Sequence, residues 1–213
     1  MLAGRTLGLV AALGAVVGAY SAVSDLMLGP LIGTPFLLLV NLGNAAAPWI
    51  VAAFAAGATT ISLPAGAVSG VGTLLIAVAT YYMIQALGFG EVRLGGLVLW
   101  IAVAIFVGPV FGAIGSAWRH RRRPELAVGV LSGALMAEAA FVLNQLGGFA
   151  GLDFGVGRTQ LVLLLFAAAA VVPPLLLRGR LVAVAYGTGM AVAVVGLVVL
   201  WAVSTVLDAL VRM

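Results

Sequence analysis

Of the six carboxylate side chains in this sequence, Glu138 alone falls inside an unbroken apolar run, the one from about Glu125 to Leu146. An ionisable group in such a run costs about 2.5 to 3.5 kcal/mol on insertion scales, which makes Glu138 the first candidate for chemistry. No arginine lies within any apolar run to pair with it. It is expected to point inward as a carboxyl that donates one hydrogen bond, with Tyr81 as acceptor, and to contact a solute or the proton that travels with it. Tyr81, Tyr82 and Gln85 come late in another run, and Asn41, Asn44 and Trp49 flank the entry to a third. These residues complete the candidate ligand-binding set, with Tyr20, Asn144 and Gln145 at similar depth. Rings with polar tips and amides beside one carboxyl suit a small solute, and the same residue types also form interfacial belts.

Other chemistries find little support. The chain has no Cys and one His, so thiolate nucleophiles, disulfides and zinc-thiolate sites are excluded. There is no His-Glu-x-x-His, no Gly-x-Ser-x-Gly, and no Lys for a phosphate-binding loop. Asp25, Asp153 and Asp208 stand at the ends of apolar runs, so paired carboxylates in one cleft are not indicated. No enzymatic activity, cofactor or metal is expected.

The positioning elements follow from composition. The chain is 64% hydrophobic and 8% charged, with mean hydropathy +1.29; a soluble domain carries about 25% charged residues. The lipid bilayer must be its solvent. Its ten basic residues are all Arg, which together with abundant Ala and Gly points to GC-rich coding and a bacterial source. A pI near 10.4 then reflects loop arginines rather than a nucleic-acid-binding face.

With about 20 apolar residues per crossing, seven spans are read: Thr6 to Leu26, Asn44 to Thr60, Pro64 to Leu87, Leu94 to Trp118, Glu125 to Leu146, Thr159 to Leu177 and Leu181 to Leu207. Gly, Pro and charge clusters divide them. Nothing alternates as barrel strands would, so the fold class is all-α, a polytopic membrane helix bundle forming a single integral membrane domain over residues 1–213. The Gly29 to Gly43 stretch is too short to span and opens with Thr34-Pro35, an N-cap followed by Pro. It reads as a short re-entrant or interfacial helix on the outer side. The first run resembles a signal peptide but exceeds the usual apolar length, and is kept as an uncleaved span.

Counting arginines by side gives seven against three with the amino terminus inside, which places it in the cytoplasm and the carboxyl terminus outside a bacterial cell membrane. If the second span fails to cross, the count inside drops to six and the amino terminus moves out. Arg119 to Arg123, with His120 among them, read mainly as a topology determinant and secondarily as a contact for anionic headgroups or a partner subunit. Small residues at four-residue spacing supply close-packing faces: Gly4, Gly8, Ala12 or Ala11, Ala15, Ala19 on the first span; Gly108, Gly112, Ser116; Gly129, Gly133, Ala137; and Ala183, Gly187, Ala191. A stripe of Gly66, Gly70, Thr73, Ala77, Thr80 and Tyr81 should face the bundle interior.

Three segments carry a resemblance: the run from Gly108 to Arg119, the run from Gly133 to Glu138, and the Tyr81-Tyr82 pair following Pro48-Trp49. Through them the chain resembles a family of small, uncharacterised multi-pass bacterial membrane proteins of unknown function, over most of its length. That resemblance implies no activity. The chain is also similar to the substrate-binding membrane subunits of energy-coupling-factor transporters. That likeness implies an outward-facing ligand pocket and docking on a partner through Ala11, Ala15 and Ala19, although such subunits have six spans with both termini inside. Two functional readings result. One is a small-solute-binding or transport component with an outward-facing pocket. The other is a structural or accessory subunit that packs against a partner protein, a second copy or lipid.

Overall fold

The computed structural model describes residues 2–27, 36–90, 92, 94–148 and 157–211, without the side chains of 2, 3, 89 and 203–211. Among these residues all regular structure is helical: α1 Leu2–Met27, α2 Leu37–Gly43, α3 Ala47–Ala58, α4 Leu63–Phe89, α5 Leu94–Arg119, α6 Pro124–Gln145, α7 Gly157–Leu176 and α8 Arg180–Val211. Six of these helices are long and apolar enough to cross a membrane, and α2 with α3 form a pair bent by 57° that qualifies together. The chain divides into two compact units, Met1–Pro124 and Glu125–Met213.

Local signals set the helix limits. Ser62 caps α4 by accepting from the Ala65 amide at 3.3 Å, with Pro64 in the first turn, and Gly90 at φ 74° ends it. The link from α5 to α6 is tight because Arg121 and Arg123 take left-handed φ values of 52° and 54°. The expected helix start at Thr34-Pro35 lies outside the described residues. The expected short helix is seen as α2. The second span, read as Asn44 to Thr60, is instead the 12-residue α3, restarted by Pro48 after a break at Asn44 to Ala46. Twelve residues cover about 18 Å, short of a hydrocarbon core of about 30 Å, so α3 needs α2 to complete the pass.

In the first unit α1 and α4 run parallel. Gly14 lies against Thr73 and Ile76, Gly18 against the Ala77 carbonyl, and Gly88 against Leu26. Two parallel helices consecutive in a bundle require a return segment, which α2 and α3 supply: Gly43 packs on Ser24 near the end of α1, and Gly57 on the Gly112 carbonyl near the start of α4. Helix α5 is antiparallel to α4, with Gly112 against Gly66, Gly108 against Gly70, and Gly96 beneath the Tyr82 hydroxyl. Of the interior stripe expected on α4, Gly66, Gly70, Thr73 and Ala77 are buried, and Thr80 and Tyr81 are half-buried.

The second unit repeats the device. Gly129 lies against Ala185 and Thr188, Gly133 against Gly189 and Val192, and Gly196 against Ala137. Helices α6 and α8 are therefore parallel, and α7 makes the return. Pro174 in α7 has no N–H for the Ala170 carbonyl four residues back; the Tyr186 hydroxyl of α8 donates to that carbonyl instead.

Two expected faces are corrected. Gly4 and Gly8 have open space around them and Ala12 is exposed, while Ala11 is exposed and Ala15 and Ala19 half-buried; Gly14, Gly18 and Ala22 form the packed face of α1. Ala183, Gly187 and Ala191 are exposed, and Ala185, Gly189 and Ala193 are buried in their place. The physical reason is that small residues occupy several faces of both helices, so spacing alone cannot choose the face that meets a neighbour.

Gly112→Val would drive a side chain into the Gly66 carbonyl and is expected to cost about 1 to 3 kcal/mol, whereas Gly4→Ala should stay within about 0.5 kcal/mol. Thermal midpoints in a mild detergent check both. Tyr186→Phe leaves the Ala170 carbonyl without its donor and is expected to cost about 1 kcal/mol in the same measurement.

Candidate functional site

The break between α2 and α3 needs partners for its freed backbone groups, because lipid offers none. Helix α1 supplies them. The Tyr20 hydroxyl donates to the Leu39 carbonyl, and Ser21 Oγ donates to the Gly43 carbonyl at 2.6 Å. The indole Nε1 of Trp49 then donates to Ser21 Oγ at 2.9 Å. A chain of two hydrogen bonds thus ties Trp49, in the first turn of α3, through Ser21 of α1 to the end of α2.

Asp25 lies one helical turn beyond Ser21, on the same face. The Tyr81 hydroxyl donates to its Oδ2, and Gln85 Nε2 donates to the same oxygen at 3.0 Å. Tyr81 and Gln85 are four residues apart on α4 and share a face. Gln85 is buried, while Asp25 and Tyr81 are half-buried. A chain of aromatic contacts runs outward from Tyr81. Trp49 meets Tyr81 edge-on with centroids 6.4 Å apart, Trp49 stacks on Trp100 of α5 at 5.8 Å, and Tyr81 meets Tyr82 edge-on at 5.0 Å. Asp25 has no cationic side chain paired with it among the described residues.

The structure therefore brings together Trp49, Tyr81, Tyr82 and Gln85 from the expected set, and adds Asp25, Ser21 and Trp100. Asn41 donates to the Leu37 carbonyl of its own helix at 2.9 Å, and Asn44 is the exposed C-cap of α2. Both serve the short helix locally. Glu138 belongs to the second unit, where it is buried in α6 at 7% exposure. The proton of Tyr81, its expected partner, goes to Asp25. Asp25 was legible as a carboxylate at a span end; the missed signal is the Ser21 and Asp25 pair at four-residue spacing, which marks a polar face on an otherwise apolar helix.

Two half-open grooves are found among the described residues. One, about 460 Å³, lies between residues 58–61 and Trp118 to His120; the other, about 310 Å³, lies between α6 and α8 and is lined by Phe141, Asn144, Leu197, Val198 and Trp201. Neither is lined by Glu138 or by the interior stripe of α4. No group of three or more His, Cys, Asp or Glu suited to a metal ion occurs among the described residues.

A family profile described as a family of unknown function (DUF6518) matches residues 2–206, and the chain belongs to that family. No curated protein and no solved structure matches it. The likeness to energy-coupling-factor subunits gains no support from these comparisons.

Ser21→Ala removes the acceptor of Trp49 and the donor to Gly43, and is expected to cost about 1 to 3 kcal/mol because both groups lose their only partner away from water. A red shift of tryptophan emission together with a lower thermal midpoint is the expected observation.

Proposed function

We propose that this protein is a small-solute-binding component of a bacterial cytoplasmic membrane, acting in transport, and that its ligand is a small organic cation held by Asp25 among Trp49, Tyr81, Tyr82 and Trp100. The observation that carries the reading is Asp25 itself. Its two hydrogen bonds converge on one oxygen, no cation pairs with it among the described residues, and one of its donors, Tyr81, belongs to a chain of ring contacts that joins Trp49, Tyr82 and Trp100. Negative ring faces and a carboxylate favour an amine or quaternary ammonium group, each ring contributing about 0.5 to 2 kcal/mol.

The orientation of the first unit supports an outward site. Gly96 near the start of α5 lies by Tyr82, so the Asp25 cluster is at the end of the unit opposite Arg119 to Arg123. The parallel course of α1 and α4 puts Arg5 at the arginine-rich end. With seven passes, the positive-inside rule then places the amino terminus in the cytoplasm and the cluster outside.

A second reading, an accessory subunit packing on a partner helix, draws on the open faces at Gly4 and Gly8 and at Gly187, where nothing lies within 4 Å of an added Cβ. Close helix approach in lipid uses such faces.

A thermal-shift series with small amines, quaternary ammonium compounds, neutral isosteres and organic anions discriminates the two. Cations alone should raise the midpoint of the wild-type protein, and Asp25→Asn should lower affinity at least about tenfold, equivalent to about 1.4 kcal/mol. Uniform indifference to all four classes would leave the accessory reading. Reporter fusions at Arg121 and at the carboxyl terminus should report opposite sides of the membrane; the same side for both would refute seven passes.

A further inference from the structure

We propose that the groove between the α3–α4 turn and the carboxyl end of α5 binds the phosphate of an anionic phospholipid. The groove, about 460 Å³, is walled by residues 58–61 on one side and by Trp118, Arg119 and His120 on the other. It lies in the first unit at the end opposite the Asp25 cluster, so it is independent of the solute site.

The polar atoms of the groove divide into used and unused groups. The Thr59 and Thr60 hydroxyls donate to the Ala56 and Gly57 carbonyls, each at 2.7 Å, and so finish the end of α3. Their hydrogens are committed. His120 Nδ1 lies 2.9 Å from the Ser116 carbonyl. A carbonyl only accepts, so Nδ1 carries a hydrogen and Nε2 is the ring's remaining polar atom. The Arg119 guanidinium is exposed and forms no ion pair among the described residues, and Arg121, Arg122 and Arg123 follow it, all exposed. The donors that remain for an incoming group are the arginine guanidinium groups, and what they suit is an oxyanion; a guanidinium binds phosphate through two parallel N–H bonds.

The apolar part of the groove chooses between a lipid and a free anion. Trp118 is held as a wall by Phe54, with centroids 5.8 Å apart, and Ile61 is 81% exposed beside the charged rim. Both stand where long apolar helices end, at headgroup depth. A free phosphate would satisfy Arg119 and leave Ile61 and Trp118 against water. A phospholipid satisfies both, placing its phosphate at Arg119 and its glycerol and upper chain along the apolar wall.

The test uses the full chain in a neutral detergent, offered phosphatidylglycerol and phosphatidylcholine with identical acyl chains in equal amounts, with retained lipid counted by native mass spectrometry. Wild-type protein should retain phosphatidylglycerol in preference, and Arg119→Gln should reduce that preference about fivefold, as expected for one arginine at a charged surface. Arg178→Gln, outside the groove, should keep it. Each variant's thermal midpoint is recorded, and Arg119→Lys, which keeps the charge but loses the two parallel N–H bonds and should also lower the preference, decides the matter if Arg119→Gln does not fold. Equal retention of the two lipids, an equal loss in Arg178→Gln, or an unchanged preference in the folded groove variants would overturn the proposal. Displacement of phosphatidylglycerol by inorganic phosphate would also overturn it, identifying a free anion as the occupant.

Discussion

Backbone contact at Gly112 is the constraint on which the first unit depends. Lipid chains are as apolar as leucine, so helices gain nothing by hiding apolar side chains from them, and association must come from dispersion at short range and from hydrogen bonds. At this point the α5 backbone touches α3 through Gly57 and α4 through Gly66 and Gly70. No side chain could stand between them. Once this crossing is set, the register of three helices follows along their length, bringing Trp100 to Trp49 and Gly96 to the Tyr82 hydroxyl.

The same solvent explains how breaks in helices are handled. Each interruption frees carbonyls that lipid cannot satisfy. In the first unit, Ser21 answers the carbonyl of Gly43, the last residue of α2, and Tyr20 adds a donor to the Leu39 carbonyl earlier in the same helix. In the second, Tyr186 answers the carbonyl that Pro174 leaves at Ala170. A hydroxyl from a neighbouring helix does the work in both cases, so the irregular segment and its neighbour hold each other in register. Trp49 is fixed by the first of these repairs, which makes the helix break the support of the aromatic cluster rather than a defect beside it.

Charge is sorted along the first unit by this packing. A carboxylate without a cationic partner among the described residues is held by Tyr81 and Gln85 at the edge of an aromatic cluster at one end, and exposed arginines with a half-apolar groove lie at the other. The two ends therefore differ in sign and in the side chains beside the charge, rings at the first and a half-apolar groove at the second. The two groups stand at opposite ends of the long helices of the first unit, a polarity that the family assignment does not address.

Much of the architecture was legible from local signals. Apolar length, Pro and Gly breaks, and caps such as Ser62 determine where helices begin and end within a few residues, because those effects act over one turn. The stripes at Gly108, Gly112, Ser116 and at Gly129, Gly133, Ala137 were readable for the same reason, and so was the inner face of α4. The packed faces of α1 and α8 were not, since both helices carry small residues all round and the choice depends on which neighbour arrives. Asp25 shows the limit most plainly. In the sequence it ends an apolar run, and its partners Tyr81 and Gln85 are 56 and 60 residues away. Only the parallel course of α1 and α4, itself a result of α3 returning the chain, brings them together. Helix existence is a short-range property of composition and therefore belongs to the sequence alone. The rotation of each helix about its axis is settled by contacts between distant residues, and so the candidate site belongs to the tertiary structure.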